Sequence, residues 1–266
     1  MEILALVKLA LDTGQLRVSE TKVDIDSTPL KISDIDRNAV EEAVRIKEKA
    51  GGRVRVITAL KYGPLTRRQQ EAESLLREVL AMGADEAYLI VDNALINSDQ
   101  LLTAKAIAAT IRKLGNYDLI IAGEATIDGY TSQVGGPRVA AELGIPVITF
   151  VRELRVEGNK VTAKRDLEDA IQTVEAQLPV LVTVTREINV PRIPPLLQIR
   201  AAMKKPINRL GLADLGISMK SPVEVTNIVP IQVKRKGVII KDGTVDEKVD
   251  KLIQALIQEG IITPPR

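Results

Sequence analysis

The sequence predicts a doubly wound α/β fold on a mainly parallel sheet, followed by a C-terminal extension or arm. Three observations carry this. Short, almost unbroken Val/Ile/Leu runs recur through the first 150 residues, as strands covered on both faces require. Longer segments with helical apolar spacing separate them, and glycines close most of those segments.

Glu2 to Val7 reads as a buried first strand rather than a signal peptide, having an acid at position two and no basic leader. Ser33 with Asp36 resembles a capping box and opens a helix to Gly51, with Ile35, Ala39, Ala43 and Ile46 on one face. Arg53 to Leu60 is the second strand. Thr66 with Gln69 opens a helix that ends at Gly83, and Glu86 to Val91 follows as a strand. Ser98 opens the next helix, ending at Gly115, before a strand at Asp118 to Ala122. A helix from Thr131 to Leu143 and a strand from Val147 to Phe150 complete this part.

Beyond residue 150 the pattern changes. Arg152 to Val156 and Lys160 to Lys164 form a hairpin around Glu157-Gly158-Asn159, and Val180 to Thr185 is a further buried strand. Pro191, Pro194 and Pro195 lead into a short helix, Leu196 to Lys205. Asp246 to Glu259 is amphipathic, with Val249, Leu252, Ile253, Leu256 and Ile257 on one stripe. That stripe either packs on its own domain or clasps a partner. The expected divisions are 1–190, a nucleotide-binding α/β domain that includes the hairpin; 191–206, a loop with a short helix; and 207–266, the arm.

Composition narrows the chemistry. The 266 residues contain no Cys and no His. Thiolate nucleophiles, iron–sulfur ligation and a Ser-His-Asp triad are therefore excluded, together with the usual general base near neutral pH. No catalytic residue and no metal ligand is assigned. A net charge of +2, one Phe, four Tyr and no Trp give neither the basic footprint nor the stacking platform of a nucleic-acid binder. No apolar run approaches the ~18 residues of a membrane span. Reactivity then has to come from a bound cofactor.

In an open parallel sheet, ligands lie beyond the carboxyl ends of the strands. No G-x-G-x-x-G and no Walker loop stands there. Two other loops do: Tyr62-Gly63-Pro64, and Gly123 to Gly135 (GEATIDGYTSQVG). The second offers small residues, hydroxyls at Thr131 and Ser132, and a helix start for a phosphate. Tyr62 and Tyr130 could each lay a ring against a base.

At these residues the chain resembles the beta, or small, subunit of electron transfer flavoproteins. The resemblance runs through Val7-Lys8-x-x-x-Asp12, Ala39 to Arg45, Gly63-Pro64, Ala81 to Asp85 and the Gly123 loop. Its strongest part is Ala163-Lys164-Arg165-x-x-Glu168-Asp169, then Gln172-x-Val174, then Pro179-x-Leu181-Val182-Thr183. Asn189-x-Pro191-Arg192, Lys204-Lys205-Pro206 and Asp214-Leu215-Gly216 extend it.

The resemblance implies a flavodoxin-like, adenine-nucleotide-binding domain in a heterodimer with an alpha subunit that carries its own FAD. It implies FAD, or alternatively AMP, in this subunit. The implied contacts are Leu6, Lys8, Ser33, Ile35, Asp36, Tyr62, Gly63, Gly123, Ala125, Thr126, Asp128, Gly129, Tyr130, Thr131, Ser132, Gln133 and Val134. Pro195, Leu196 and Leu197 would dock dehydrogenases or a membrane quinone oxidoreductase, and Arg165 and Asp166 would face the partner's flavin. The run Asp128 to Gly135 looks more like the electron-bifurcating members, in which NADH is the electron donor, because small residues at 129 and 132 leave room for a pyrophosphate. Tyr130, Gly136 and Ala170 depart from the family pattern. A cytoplasmic location is expected. Two other readings stay open: a regulatory module binding ATP or AMP, as universal-stress-type domains do, and an assembly subunit without ligand.

Overall fold

Both faces of the first strand, β1 (Glu2–Leu6), are buried: Ile3 and Ala5 join one core cluster while Leu4 and Leu6 join another. A strand with apolar residues at every position needs layers on both sides, and the computed structural model supplies them. It describes residues 1–126, 128, 136–231 and 236–263.

The chain continues through β2 (Leu9–Leu11), β3 (Arg17–Val18), β4 (Val23–Asp24), β5 (Leu30–Ile32) and α1 (Asp34–Ala50). Then follow β6 (Arg53–Ala59), α2 (Leu65–Ala81), β7 (Glu86–Ile90), α3 (Gln100–Leu114) and β8 (Leu119–Gly123). After α4 (Pro137–Leu143) come β9 (Val147–Glu157), β10 (Lys160–Leu167), β11 (Ala170–Gln177) and β12 (Val180–Val184). Last are α5 (Leu196–Ala202), β13 (Ile207–Leu210) and α6 (Val245–Gln258). The main sheet has nine strands in the order β11-β10-β9-β12-β8-β1-β6-β7-β13. Neighbours from β9 to β13 pair in parallel, and β10 and β11 are added antiparallel. Strands β2 and β5 pair in a small sheet of their own, as do β3 and β4.

Helices α1 and α2 put Ala39, Val40, Val44, Leu76 and Leu80 into the first cluster. Helices α3 and α4 put Leu102, Ile107, Ile111 and Val139 into the second. At about 1.5–3 kcal/mol for each large apolar side chain, these two layers drive folding. The doubly wound α/β architecture matches the expectation from the sequence.

Several boundaries differ from it. Ser33 is the N-cap of α1 but its side chain makes no capping bond, and the Asp36 carboxylate accepts from Lys8 and Gly123 instead of closing a box. The N-cap of α2 is Pro64, and that of α3 is Asp99, whose carboxylate accepts from the Leu102 N–H. Helix α4 starts at Pro137; residues 131–135 lie outside the described residues. Phe150 does not end a strand but lies within β9, and β11 turns the expected hairpin into a three-strand extension.

The chain divides into two units, Met1–Val229 and Pro230–Arg266. Strand β13 pairs with β7 inside the first unit, so residue 207 opens a sheet strand. In the second unit, α6 carries a full capping box between Thr244 and Glu247 and has no buried residue. Among the described residues, no helix is long and apolar enough to cross a membrane.

Candidate functional site

The site forms where β1, β6 and β8 end. Leu6 closes β1 and is buried; Lys8 follows it. Asp36, in the first turn of α1, accepts the Lys8 N–H at 2.8 Å and the Gly123 N–H at 2.9 Å. One carboxylate thus ties two loops to a helix start. Gly123 has no room for a side chain, since a Cβ would come within 2.5 Å of Asp36 Oδ1 and 3.1 Å of the α1 backbone. Burial pushes the Asp36 carboxyl up to about 6 despite its two amide donors.

Asp128 is the second knot. Its side chain is fully buried and accepts from Lys8 Nζ at 2.6 Å, Tyr62 Oη at 2.8 Å and the Leu11 N–H at 3.0 Å. Thr126 Oγ1 lies 2.8 Å from Asp128 and accepts from Lys8 Nζ at 3.2 Å. Burial pushes the Asp128 carboxyl up, but the Lys8 ammonium and these hydrogen bonds outweigh it and hold the group below its ordinary value. Tyr62 is pushed well above the ordinary phenol value by burial and by the Asp128 charge.

Of the residues expected at the site, Lys8, Asp36, Tyr62, Gly123, Thr126 and Asp128 are joined in these two knots. Leu6 and Gly63 belong to the same loops. Ser33 stands one residue before α1 with its Oγ buried beside Asp36 and no hydrogen bond of good geometry. Ile35 and Ala125 are half-buried at the helix start and in the loop after β8. Gly129, Tyr130, Thr131, Ser132, Gln133 and Val134 lie outside the described residues.

The sequence reading missed two groups. Lys61 Nζ donates to the Ser98 carbonyl at 2.7 Å, and burial, with Lys8 nearby, brings it down to about 8. Nothing in the sequence marks this lysine as half-buried. Arg68 has no exposed surface and spends all five N–H donors: on the carbonyls of Gly63, Thr28, Ile25 and Asp26 and on the Glu71 carboxylate. It fixes the Gly63 loop from behind.

The remaining predicted residues lie elsewhere. Pro195 is the N-cap of α5, and Leu196 and Leu197 are 67% and 78% exposed. Arg165 is not free: it donates to the Thr149 carbonyl at 2.8 Å, to Thr149 Oγ1 at 2.9 Å and to Gln172 Oε1 at 2.9 Å. Asp166 pairs with Arg152 at 2.9 Å.

The residues that meet here suit an anionic, hydrogen-bonding ligand. A buried unpaired hydroxyl at a helix start, an ammonium and close-approaching backbone fit the phosphate or ribose of a nucleotide. The model for the electron transfer flavoprotein domain matches residues 21–215 of this chain. The chain belongs to the electron transfer flavoprotein family. It is 40% identical to the electron transfer flavoprotein subunit beta of Thermoanaerobacterium thermosaccharolyticum, over 98% of this chain and 100% of that one. Identity to the subunit beta of Megasphaera elsdenii is 37%, with the same shares covered. The caffeyl-CoA reductase-Etf complex subunit CarD of Acetobacterium woodii is 34% identical, again over 98% and 100%. In this electron transfer flavoprotein beta-type chain, the matched region takes in Asp36, Asp128 and the exposed α5, while Lys8 and Leu11 precede it.

Proposed function

We propose that this chain holds a nucleotide at the carboxyl edge of its sheet and passes electrons as the beta subunit of an electron transfer flavoprotein heterodimer. The observation that supports this best is the meeting at Asp36 and Asp128 of the loops after β1, β6 and β8 with the start of α1. Ligands of open α/β sheets bind at such an edge.

The nucleotide is FAD, held by Leu6, Lys8, Ser33, Ile35, Asp36, Tyr62, Gly63 and the 123–134 loop. A bound flavin supplies electron transfer. This chain's own residues position it. Lys8, with its charge balanced by Asp128, presents an ammonium to the phosphates. Tyr62 keeps its proton, because burial and Asp128 both oppose ionisation. Ser33 Oγ gains the partner it lacks. The small residues at 129 and 132 favour FAD over AMP and, with it, bifurcation from NADH.

The partner is the alpha subunit with a second FAD, contacted by the arm that contains α6. Pro195, Leu196 and Leu197 dock a dehydrogenase or a membrane quinone oxidoreductase. A relative described as a subunit of a reductase–Etf complex supports such docking. The location is the cytoplasm.

The test is the nucleotide content of the heterodimer purified after co-expression. Two flavins per heterodimer are expected. One flavin with AMP would make the chain an ordinary carrier, and no flavin would overturn the assignment.

A further inference from the structure

Lys61 is the second residue past the end of β6, and its main-chain carbonyl accepts the Asn97 N–H at 3.0 Å. Its side chain is half-buried, and its ammonium donates to the Ser98 carbonyl at 2.7 Å. An ammonium carries three N–H donors. The other two have no partner among the described residues, and no carboxylate among them forms an ion pair with Lys61.

The acids around it are already engaged. Each oxygen of Asp128 accepts two donors: Lys8 Nζ and Thr126 Oγ1 on one, the Leu11 N–H and Tyr62 Oη on the other. Asp36 gives its two oxygens to the Lys8 and Gly123 N–H groups. Asp99 accepts the Leu102 N–H as the cap of α3. Asp99 and Asp128 favour the Lys61 charge from a distance, but burial and the Lys8 charge outweigh them. Lys8 is thus neutralised by a carboxylate at 2.6 Å, whereas Lys61 has no such counter-charge in contact among the described residues.

A cation withdrawn from water beside a second cation weakens the folded state. An anion bound at this mouth would relieve both costs together. The topology brings the two ammonium groups to one place: β1 lies beside β6, and Lys8 and Lys61 each stand two residues past the ends of these strands. Neighbouring strands are about 5 Å apart, a span that one phosphate can bridge. Tyr62, the next residue, already reaches the carboxylate that Lys8 meets. Lysine recognises a phosphate as a point charge, so this contact demands charge rather than a particular shape.

We propose that Lys61 is a specificity-determining residue of this site: it supplies the positive charge that selects a phosphorylated nucleotide over the uncharged nucleoside, beside a Lys8 ammonium that Asp128 already balances. This rests on the nucleotide reading above and adds to it a residue outside the family resemblance.

The test is calorimetry of AMP and of adenosine with the full chain and with its Lys61→Met and Lys61→Gln variants. Glutamine keeps a donor for the Ser98 carbonyl and loses the charge. AMP affinity should fall about tenfold or more in both variants, with adenosine affinity unchanged. Methionine fills the space of the lysine stem without burying a charge, so the urea midpoint of Lys61→Met at neutral pH should equal or exceed the parent's. Undiminished AMP binding by Lys61→Gln overturns the proposal. Equal losses for AMP and adenosine also overturn it, because the lysine would then shape the site instead of reading charge. If the parent chain binds neither AMP nor FAD, the nucleotide reading itself fails and takes this inference with it.

Discussion

Arg192 brings two donors to one oxygen of Glu41: its main-chain N–H at 3.1 Å and its Nε at 2.8 Å both meet Oε2. The same guanidinium reaches Glu48 at 2.6 Å, while Asn38 and Asn189 exchange hydrogen bonds beside it. The segment that leads to the exposed α5 is thereby fastened to the helix whose first turn carries Asp36.

Arg192→Ala should therefore destabilise the protein by about 2 kcal/mol, since it strips the nearly buried Glu41 of its main partner. Burial pushes the Glu41 carboxyl up, but the Arg192 bonds prevail and hold it below the ordinary glutamate value. A group depressed in the folded state contributes stability above its unfolded pKa and loses it as pH falls through the folded one. Urea midpoints recorded from neutral to acid pH should fall less steeply in the variant; parallel curves would remove Glu41 from this role.

Asp36 has the opposite sign. Its folded pKa of about 6 exceeds the ordinary aspartate value of 3.8, so its contribution is complete below 3.8 and declines as pH rises to about 6. Asp36→Asn should flatten that part of the stability profile. It should also lower stability at neutral pH by about 1–3 kcal/mol, because an amide group would face either the Lys8 or the Gly123 N–H. Denaturant titrations of parent and variant across this range decide it, and identical slopes would contradict the assignment.

Lys61 should titrate near 8, well below the ordinary lysine value of 10.5, because burial and Lys8 both disfavour its charge. The affinity of an anionic nucleotide should then weaken as pH rises through about 8, and Lys61→Met should remove that dependence. Nucleotide binding followed by calorimetry at several pH values would reveal it.

Arg68→Met should cost about 3–5 kcal/mol, leaving four carbonyls and Glu71 without their donor. Thermal unfolding of the purified chain measures this, and a loss below about 1 kcal/mol would mean that water replaces the guanidinium.

Leu196→Asp should slow electron exchange with a dehydrogenase about tenfold or more while leaving nucleotide content intact. Stopped-flow reduction and the absorption spectrum separate the two effects. Lost nucleotide would count against a docking role for this exposed leucine.

Local pattern alone determined the alternation of β1, β6, β7 and β8 with α1, α2 and α3, because apolar periodicity and glycine stops are properties of neighbouring residues; the short strands β2 to β5 escaped it. It also determined the chemical class, since a chain without Cys or His has to borrow its reactivity. The tertiary structure decided what depends on partners far along the chain. Asp36 read as a local cap but serves Gly123, 87 residues away. Arg165 read as a residue that would face the partner's flavin, and in the fold it clamps Thr149 across a bulge. Strand β13, too short to announce itself, was recruited by the open edge of β7. In each case a backbone or charged group that had to be satisfied on burial found its partner only once the sheet had brought distant segments together.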